Sequence, residues 1–315
     1  MAKKRARSVG SAKGNHMRLG GMCLSVLLMF ASVPCFAQGP TESDIATMYP
    51  LSPVVTHGVS PSTPDALGYE YNGTTDRGVV RPKNEDSFWI DGAHGVFLVA
   101  DGMGGHEAGE VASTMAAETL RQWSRATWVA AASNVLPLSR TMWTLAAYHA
   151  ANARIFDKSS QKPSKRGMGT TLVSAIVYGR SFDIINVGDS RAYLYRGGKL
   201  TQISKDHSLL QAYIDKGMLK TPEEIRSFPY KNVITQAMGT QAKIEPDVYA
   251  IHASRGDIVI LCSDGVTDEL EDGEMAQIIT EHGRDVNKSM QEIVRIAKQR
   301  GGHDNITLVL VGFHS

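Results

Sequence analysis

The stretch GTTLVSAIVYGRSFDIINVGDSRAYLYRGGKLTQI, residues 169–203, sets strand-like runs end to end with no helical segment between them. GTTLVSAIVYG and SFDIINVGD are separated by Arg180 alone, and YLYRGGKLTQI reads as a hairpin turning on Gly197-Gly198. Parallel neighbours need a long crossover, so strands this close in sequence pair antiparallel. Further strand-like runs are GVFLVAD (95–101), DIVILCSDG (257–265), NITLVLVGF (305–313) and the short FWI (88–90). Helical periodicity covers 109–124, 138–158, 208–216, 222–227, 273–282 and 286–299. Thr221-Pro222-Glu223-Glu224 predicts a capping box with proline at the first helical position. Strands in adjacent groups, with helices in consecutive pairs between them, predict stacked antiparallel sheets with helices outside. Strict strand–helix alternation, as in a parallel doubly wound sheet, does not fit.

The chain has 315 residues, 42% of them hydrophobic, and a formal net charge of +1. That is enough for a full core, and the near-neutral balance offers no general attraction to nucleic acid. Three cysteines make no disulfide framework, and Cys262 inside DIVILCSDG reads as a buried, inert thiol. Residues 1–18 carry Lys3, Lys4, Arg5, Arg7, Lys13 and Arg18 and no acid; GGMCLSVLLMFASVPCFA (20–37) follows, ending in small residues. This is the basic, apolar, small-residue order of a secretory signal, too short for a comfortable membrane span. Residues 1–37 are therefore a signal peptide or upstream sequence before a true start at Met17 or Met48. The first reading expects a periplasmic or secreted protein by the positive-inside rule, the second a cytoplasmic one. Residues 38–68 hold five prolines with Ser and Thr and no Lys or Arg, and are expected to be a disordered linker before a globular domain at 69–315.

Three strand-like runs end on an aspartate: Asp101, Asp189 and Asp264. A fourth begins after Asp304, and the pair Glu85-Asp86 precedes the short strand FWI. One aspartate at a strand end is ordinary turn chemistry. Several brought together are another matter, because each pair about 4 Å apart repels by roughly 4 kcal/mol at an effective dielectric near 20. Such a group needs countercharge, and all-oxygen donors select Mg²⁺ or Mn²⁺ rather than zinc. His106 and His303 lie near the aspartates without a matching Cys/His set. Asp101 opens DGMGG, in which glycines crowd a strand-to-helix turn. It lacks the sixth-position glycine of the dinucleotide fingerprint and the lysine of the phosphate-cradling loop, so neither nucleotide motif applies. Bare backbone beside a carboxylate suits a metal ion with water and substrate close by.

DRGVVRPKNED (76–86), VADGMGGHEAGE (99–110), GTTLVSAIV (169–177), VGDSRAYLYRGGKL (187–200), DHSL (206–209), NVITQAMG (232–239), LCSDGVTD (261–268) and GGHDNITLVLV (301–311) resemble the ordered motifs of bacterial type 2C metal-dependent Ser/Thr protein phosphatases. The resemblance covers 69–315. It implies an α+β fold: a four-layer α-β-β-α sandwich of two antiparallel sheets flanked by helix pairs, with a flap at about 205–235. It implies hydrolysis of phosphoserine and phosphothreonine by a hydroxide bridging two metals, without a covalent enzyme intermediate. Asp101 matches the residue that bridges the two ions, and the Gly102 carbonyl, Asp264 and Asp304 complete the first site. Glu85 and Asp86 serve the second. Asp189, with Asp264, matches the holders of a weaker third ion, and Arg81 the phosphate-binding arginine. The cofactors implied are Mn²⁺ or Mg²⁺. The partners implied are phosphorylated Ser/Thr proteins and a cognate kinase, with the enzyme a monomer and no nucleic acid. Met103 stands where eukaryotic relatives carry a histidine after Asp-Gly, so the leaving-group proton comes from water or from His106. Arg191 is read as an ion-pair partner rather than a substrate contact. Two other readings remain: an inactive relative serving as a binding module, from which metal carboxylates would be missing, and a small-phosphoester hydrolase, against which the flap speaks.

Overall fold

The computed structural model describes residues 56–63, 66–104, 108–132, 139–161 and 167–314. Residues 1–37, read above as a signal peptide or upstream sequence, most of the 38–68 segment and His106 lie outside the described residues. One sheet runs β1 (His57–Ser60), β2 (Gly68–Asp76), β13 (Ile306–His314), β12 (Ile258–Cys262), β9 (Arg191–Arg196) and β10 (Lys199–Gln202) in spatial order. The other runs β11 (Asp247–His252), β8 (Ser181–Val187), β7 (Leu172–Tyr178), β4 (Val96–Ala100) and β3 (Ser87–Asp91). A short ladder joins β5 (Gly102–Met103) to β6 (Gly169–Thr170), and all these strand pairs are antiparallel.

Alternation of side chains along the strands builds three apolar layers. Between the sheets lie Phe97, Val99, Val173, Phe182, Ile184, Leu261, Val309 and Phe313. The opposite faces of the same strands carry Leu98, Leu172, Ile176 and Ile185, which meet α1 (Ala108–Ala132) and α2 (Arg140–Gln161). On the other sheet, Tyr193, Ile260, Leu308 and Leu310 meet α6 (Asp272–Glu281) and α7 (Val286–Arg300). Both faces of the central strands are covered, which explains why they read as nearly continuous apolar runs. The four-layer α-β-β-α sandwich is as expected.

Between β10 and β11 the chain forms the flap, with α3 (Leu209–Asp215) and α4 (Pro222–Ser227). The capping box on Thr221 and Glu224 is formed as predicted. His207 fastens the root of this segment. Its backbone N–H donates to the Gly188 carbonyl at 2.9 Å and its carbonyl accepts from Thr235 at 2.7 Å. Its ring Nδ1 faces the Gly188 N–H at 3.2 Å and the Gln236 amide at 2.9 Å, while Nε2 faces Asp247 at 3.1 Å. The hairpin at Gly197-Gly198 has φ of 61° and 84°, the left-handed pair that a two-residue turn of this kind requires.

The structure differs from the expectation at 38–68, where residues 57–60 form the edge strand β1, paired with β2 from His57↔Asn72 to Ser60↔Tyr69. Strands β2 and β11 are also additions to the expected set. β2 reads GYEYNGTTD, a polar and glycine-containing sequence, yet Tyr69 and Tyr71 turn into the inter-sheet core. A short helix α5 (Asp264–Thr267) follows β12 directly. Among the described residues no helix is long and apolar enough to cross a membrane.

Gly239 has φ +79°, and a Cβ there would lie 2.1 Å from Ile155 Cγ2 in the α2 core. Gly239→Ala therefore forces both a left-handed alanine and an overpacked contact. It should lower stability by about 2–4 kcal/mol, read as a shift in urea midpoint at unchanged slope. An unshifted midpoint would contradict this packing.

Candidate metal centre

The strand registers bring the acidic residues to one end of the sandwich. Ser87 at the start of β3 pairs with Ala100 at the end of β4, which sets Glu85 and Asp86 beside Asp101. Val173 of β7 pairs with Val99, and Leu172 pairs with Val187 at the end of β8, which sets Asp189 at the same end. In the facing sheet, Cys262 pairs with Leu308 and Arg191, placing Asp264 and Asp304 at matching ends of β12 and β13.

Hydrogen bonds to the backbone hold these residues. The Asp101 N–H donates to Thr171 Oγ1 at 2.9 Å, and its carbonyl accepts from the Thr171 N–H and Thr170 hydroxyl, both at 2.8 Å. Thr171 in turn meets the hydroxyl of Ser190, next to Asp189, at 2.6 Å. Ser263 donates to Asp86 Oδ2 at 2.8 Å and accepts from the Thr307 N–H at 3.1 Å. Asn305 accepts from the Glu85 N–H at 2.8 Å and donates to the carbonyls of Arg77 and Lys83, each at 2.9 Å. Gly102 of DGMGG has a steric reason as well. A Cβ on Gly102 would stand 2.2 Å from the Gly109 carbonyl oxygen and 2.4 Å from that of Glu85. No side chain fits at position 102, where the turn passes between Glu85 and Gly109.

Burial, followed by the fields of Asp86, Asp264, Asp189 and Asp304, pushes the Asp101 pKa well above the carboxylate range. Burial raises Asp86 to about 7 against hydrogen bonds from Thr307 and Ser263, with Asp264 and Asp304 adding to it. Asp189 rises to about 7 through burial, Asp264 and Asp206. Asp264 rises to about 6 through burial, Asp268 and Asp304, opposed by a hydrogen bond with Asp101 and by Arg81. Glu85 is raised too, by burial first. Arg81 Nη2 donates to Asp304 Oδ2 at 2.5 Å, and the fields of Asp264 and Asp101 also reach its guanidinium.

This site fits hard cations in its donor set: carboxylates, with Asp86 Oδ1 and Asp264 Oδ1 both buried and without a hydrogen-bond partner. Among the described residues, no three His, Cys, Asp or Glu side chains already stand round one point as a closed cage. The carboxylates share a field, and Arg81 holds Asp304. His303 is exposed, and its ring meets Glu269 at 2.7 Å. Cys262 is fully buried, and burial pushes its thiol up to about 12.

Arg191 binds Asp206 through Nε and Nη2, the latter at 2.7 Å, and so is the ion-pair partner expected, though of Asp206 and not of Asp189. Asp268 was not singled out in the sequence. It lies in the fields of Asp304, Arg191 and the flap residue Lys231 and raises Asp264. The signal for it is its spacing, four residues after Asp264, where it caps the C-terminus of α5.

The sequence model of the family described as protein phosphatase 2C matches residues 81–310. The chain belongs to that family. It is 37% identical over 245 residues to the serine/threonine protein phosphatase PstP of Mycobacterium tuberculosis, across 78% of this chain but 45% of that protein. It is 36% identical over 241 residues to the serine/threonine phosphatase stp of Listeria monocytogenes, across 75% of this chain and 93% of that protein. The chain thus spans under half the length of the mycobacterial relative and nearly all of the Listeria one. The crystal structure of the M. tuberculosis phosphatase superposes with a TM-score of 0.70 at 34% identity, covering 78% of this chain and 99% of that one. A PstP catalytic domain in complex with two manganese ions gives 0.67 at 33% identity, with 78% and 99% covered.

The titrations set a pH dependence for the phosphatase 2C domain without metal. Asp86, Asp189 and Asp264 have folded values of about 7, 7 and 6 against 3.8 in an ordinary aspartate. Between those limits the folded state keeps protons that the unfolded state has released, so stability falls as pH rises through the window. Asp76 and Asp215, whose slight burial is outweighed by Lys298 and Lys205, are shifted the other way and act below it. In EDTA, Tm should decline from about pH 5 to about pH 7.5, and Asp264→Asn should make the decline shallower. A Tm that climbs through the window, or an identical slope in the variant, would contradict the assignment.

Proposed function

We propose that the chain is a divalent-metal-dependent phosphatase of protein phosphoserine and phosphothreonine. The observation that carries this is a guanidinium on the rim of a buried, undercompensated carboxylate cluster. Arg81 is about half exposed while it holds Asp304, so a phosphoryl group can reach it from solvent. The names of the mycobacterial and Listeria relatives support the substrate class.

Asp101, Asp264, Asp304 and the Gly102 carbonyl would hold one cation, and Asp101 with Glu85 and Asp86 a second. Asp189 and Asp264 would hold a weaker third. Bound there, Mn²⁺ or Mg²⁺ supplies a Lewis acid that activates water and offsets phosphoryl charge. The orphaned oxygens of Asp86 and Asp264 then gain the partners they lack. Arg81, relieved of Asp304, presents a planar fork to two phosphoryl oxygens and orients the ester. Thr171 and Asn305, bonded to the backbone of Asp101 and Glu85, and Ser263, donating to the Asp86 carboxylate, keep these residues in place. Met103 has no proton to give, so the leaving alkoxide takes its proton from water. The cognate phosphoproteins would come from a Ser/Thr kinase, and the enzyme would act as a monomer.

The purified chain should hydrolyse a phosphothreonine peptide with Mn²⁺ and lose this in EDTA, and Asp264→Asn should lower kcat by about 10²-fold or more. Activity that survives EDTA, or an unaffected Asp264→Asn enzyme, would overturn the metal reading and favour a binding module. Faster turnover of p-nitrophenyl phosphate alone, with no peptide hydrolysed, would favour a small-phosphoester enzyme. If Arg81 grips the phosphate in the ground state, Arg81→Ala raises KM more than it lowers kcat.

For the third ion, Asp189→Ala should keep Tm within a few degrees and retain the Mn²⁺-induced rise in Tm. It should nevertheless lose most activity on phosphopeptide. A large fall in the metal-free Tm would make Asp189 a structural residue instead.

A further inference from the structure

Between Asp76 and Asp86 the chain carries Arg81 and the acidic pair, and also two valines that none of this chemistry uses. Val79 and Val80 are 58% and 60% exposed, among the most exposed large apolar side chains of the described residues. The loop beneath them is tightly fastened. The N–H groups of Val79 and Val80 both donate to the Gly302 carbonyl, at 2.8 and 3.3 Å. Asn305 bonds the carbonyls on either side, at Arg77 and Lys83, and Gly78 N–H donates to Asp76 at 2.9 Å. Gly78 itself is so close to the Asp304 and Gly302 carbonyls that a Cβ would stand 2.1 and 2.7 Å from them. The backbone that presents the valines is thus bonded to the same segment that holds Asp304, the carboxylate bridged by Arg81.

We propose that Val79 and Val80 form an apolar shelf beside Arg81 that receives an aliphatic or aromatic side chain flanking the phosphorylated residue of a protein substrate. This rests on the phosphatase reading. Two solvated valines add nothing to the core, whereas apolar contact with a partner removes their surface from water. β-Branching leaves each with few rotamers to lose, so the contact costs little ordering. One peptide bond joins Val80 to Arg81, whose guanidinium would meet the phosphate. The shelf therefore reads the residues next to the phosphate and not distant ones.

The test compares kcat/KM of the full chain with Mn²⁺ on two phosphothreonine peptides that differ only in Leu or Ser on each side of the phosphothreonine. The wild type should favour the Leu peptide about tenfold, and Val79→Ser/Val80→Ser should bring the ratio close to one. The Mn²⁺-induced rise in Tm should survive in the variant, which shows that the loop and the cation ligands remain in place. Val80→Ser alone, which leaves Val79 over Gly302, should give an intermediate ratio and serves if the double variant is unstable. Equal rates of the wild type on both peptides, or an unchanged ratio in the variants, would overturn the shelf. A wild type that hydrolyses neither peptide would overturn the phosphatase reading itself, and the shelf with it.

Discussion

Repulsion among buried carboxylates at one end of the sandwich is the constraint on which the rest of this molecule turns. Asp86, Asp101, Asp189 and Asp264 each have a raised proton affinity, with burial as the first cause in every case. A soluble protein ordinarily places such groups in water or pairs each with a cation. Here Arg81 is bridged to Asp304 at 2.5 Å, and Arg191 offsets part of the field at Asp189. Positive charge from elsewhere is the natural complement, and metal ions provide more of it per volume than any side chain.

The sandwich makes that concentration of charge mechanically possible. Its strands are covered on both faces, by the other sheet within and by helix pairs outside, so their backbones have little freedom to yield. The aspartates sit where rigid strands stop: the Asp101 backbone is bonded to Thr170 and Thr171, and the Asp304 carboxylate accepts from the Asn305 N–H. Strain from like charge is therefore held by ladders far larger than the site. The flap follows the same rule at its root. His207 ties both arms to Gly188, Gln236 and Asp247, while α3 and α4 at its tip bury no residue fully. Firm attachment at the base and loose packing at the tip is how a segment moves without disturbing the carboxylates beside it.

Arg191 and Asp206, beside the carboxylates, neutralise each other. Their paired contact, at 2.7 to 3.1 Å, neutralises a charge that would otherwise stand near Asp189 and Asp268. Asp206 raises Asp189 while Arg191 lowers it, so the pair leaves the neighbouring carboxylate mainly to its own burial and to Asp264.

The sequence by itself determined the antiparallel strand groups, the helix pairs, the hairpin at Gly197-Gly198, the capping box at Thr221 and the acidic residues at strand ends. Each of these is local: hydrophobic alternation, turn chemistry and capping act over a few neighbours, so they are visible in one dimension. The family motifs extended that reading to Gly102 and Arg81. Only the tertiary structure decided that β1, β2 and β11 are strands. GYEYNGTTD becomes β2 because β13 pairs with it along its whole length and the core accepts Tyr69 and Tyr71. Tertiary structure also decided that Asp268 joins the acidic cluster, that Arg191 is claimed by Asp206, and that Val79 and Val80 are pinned outward by Gly302. These depend on strand register and on contacts between residues far apart in the chain. No short-range pattern encodes them, because register is settled by the summed packing of two sheets and not by any single segment.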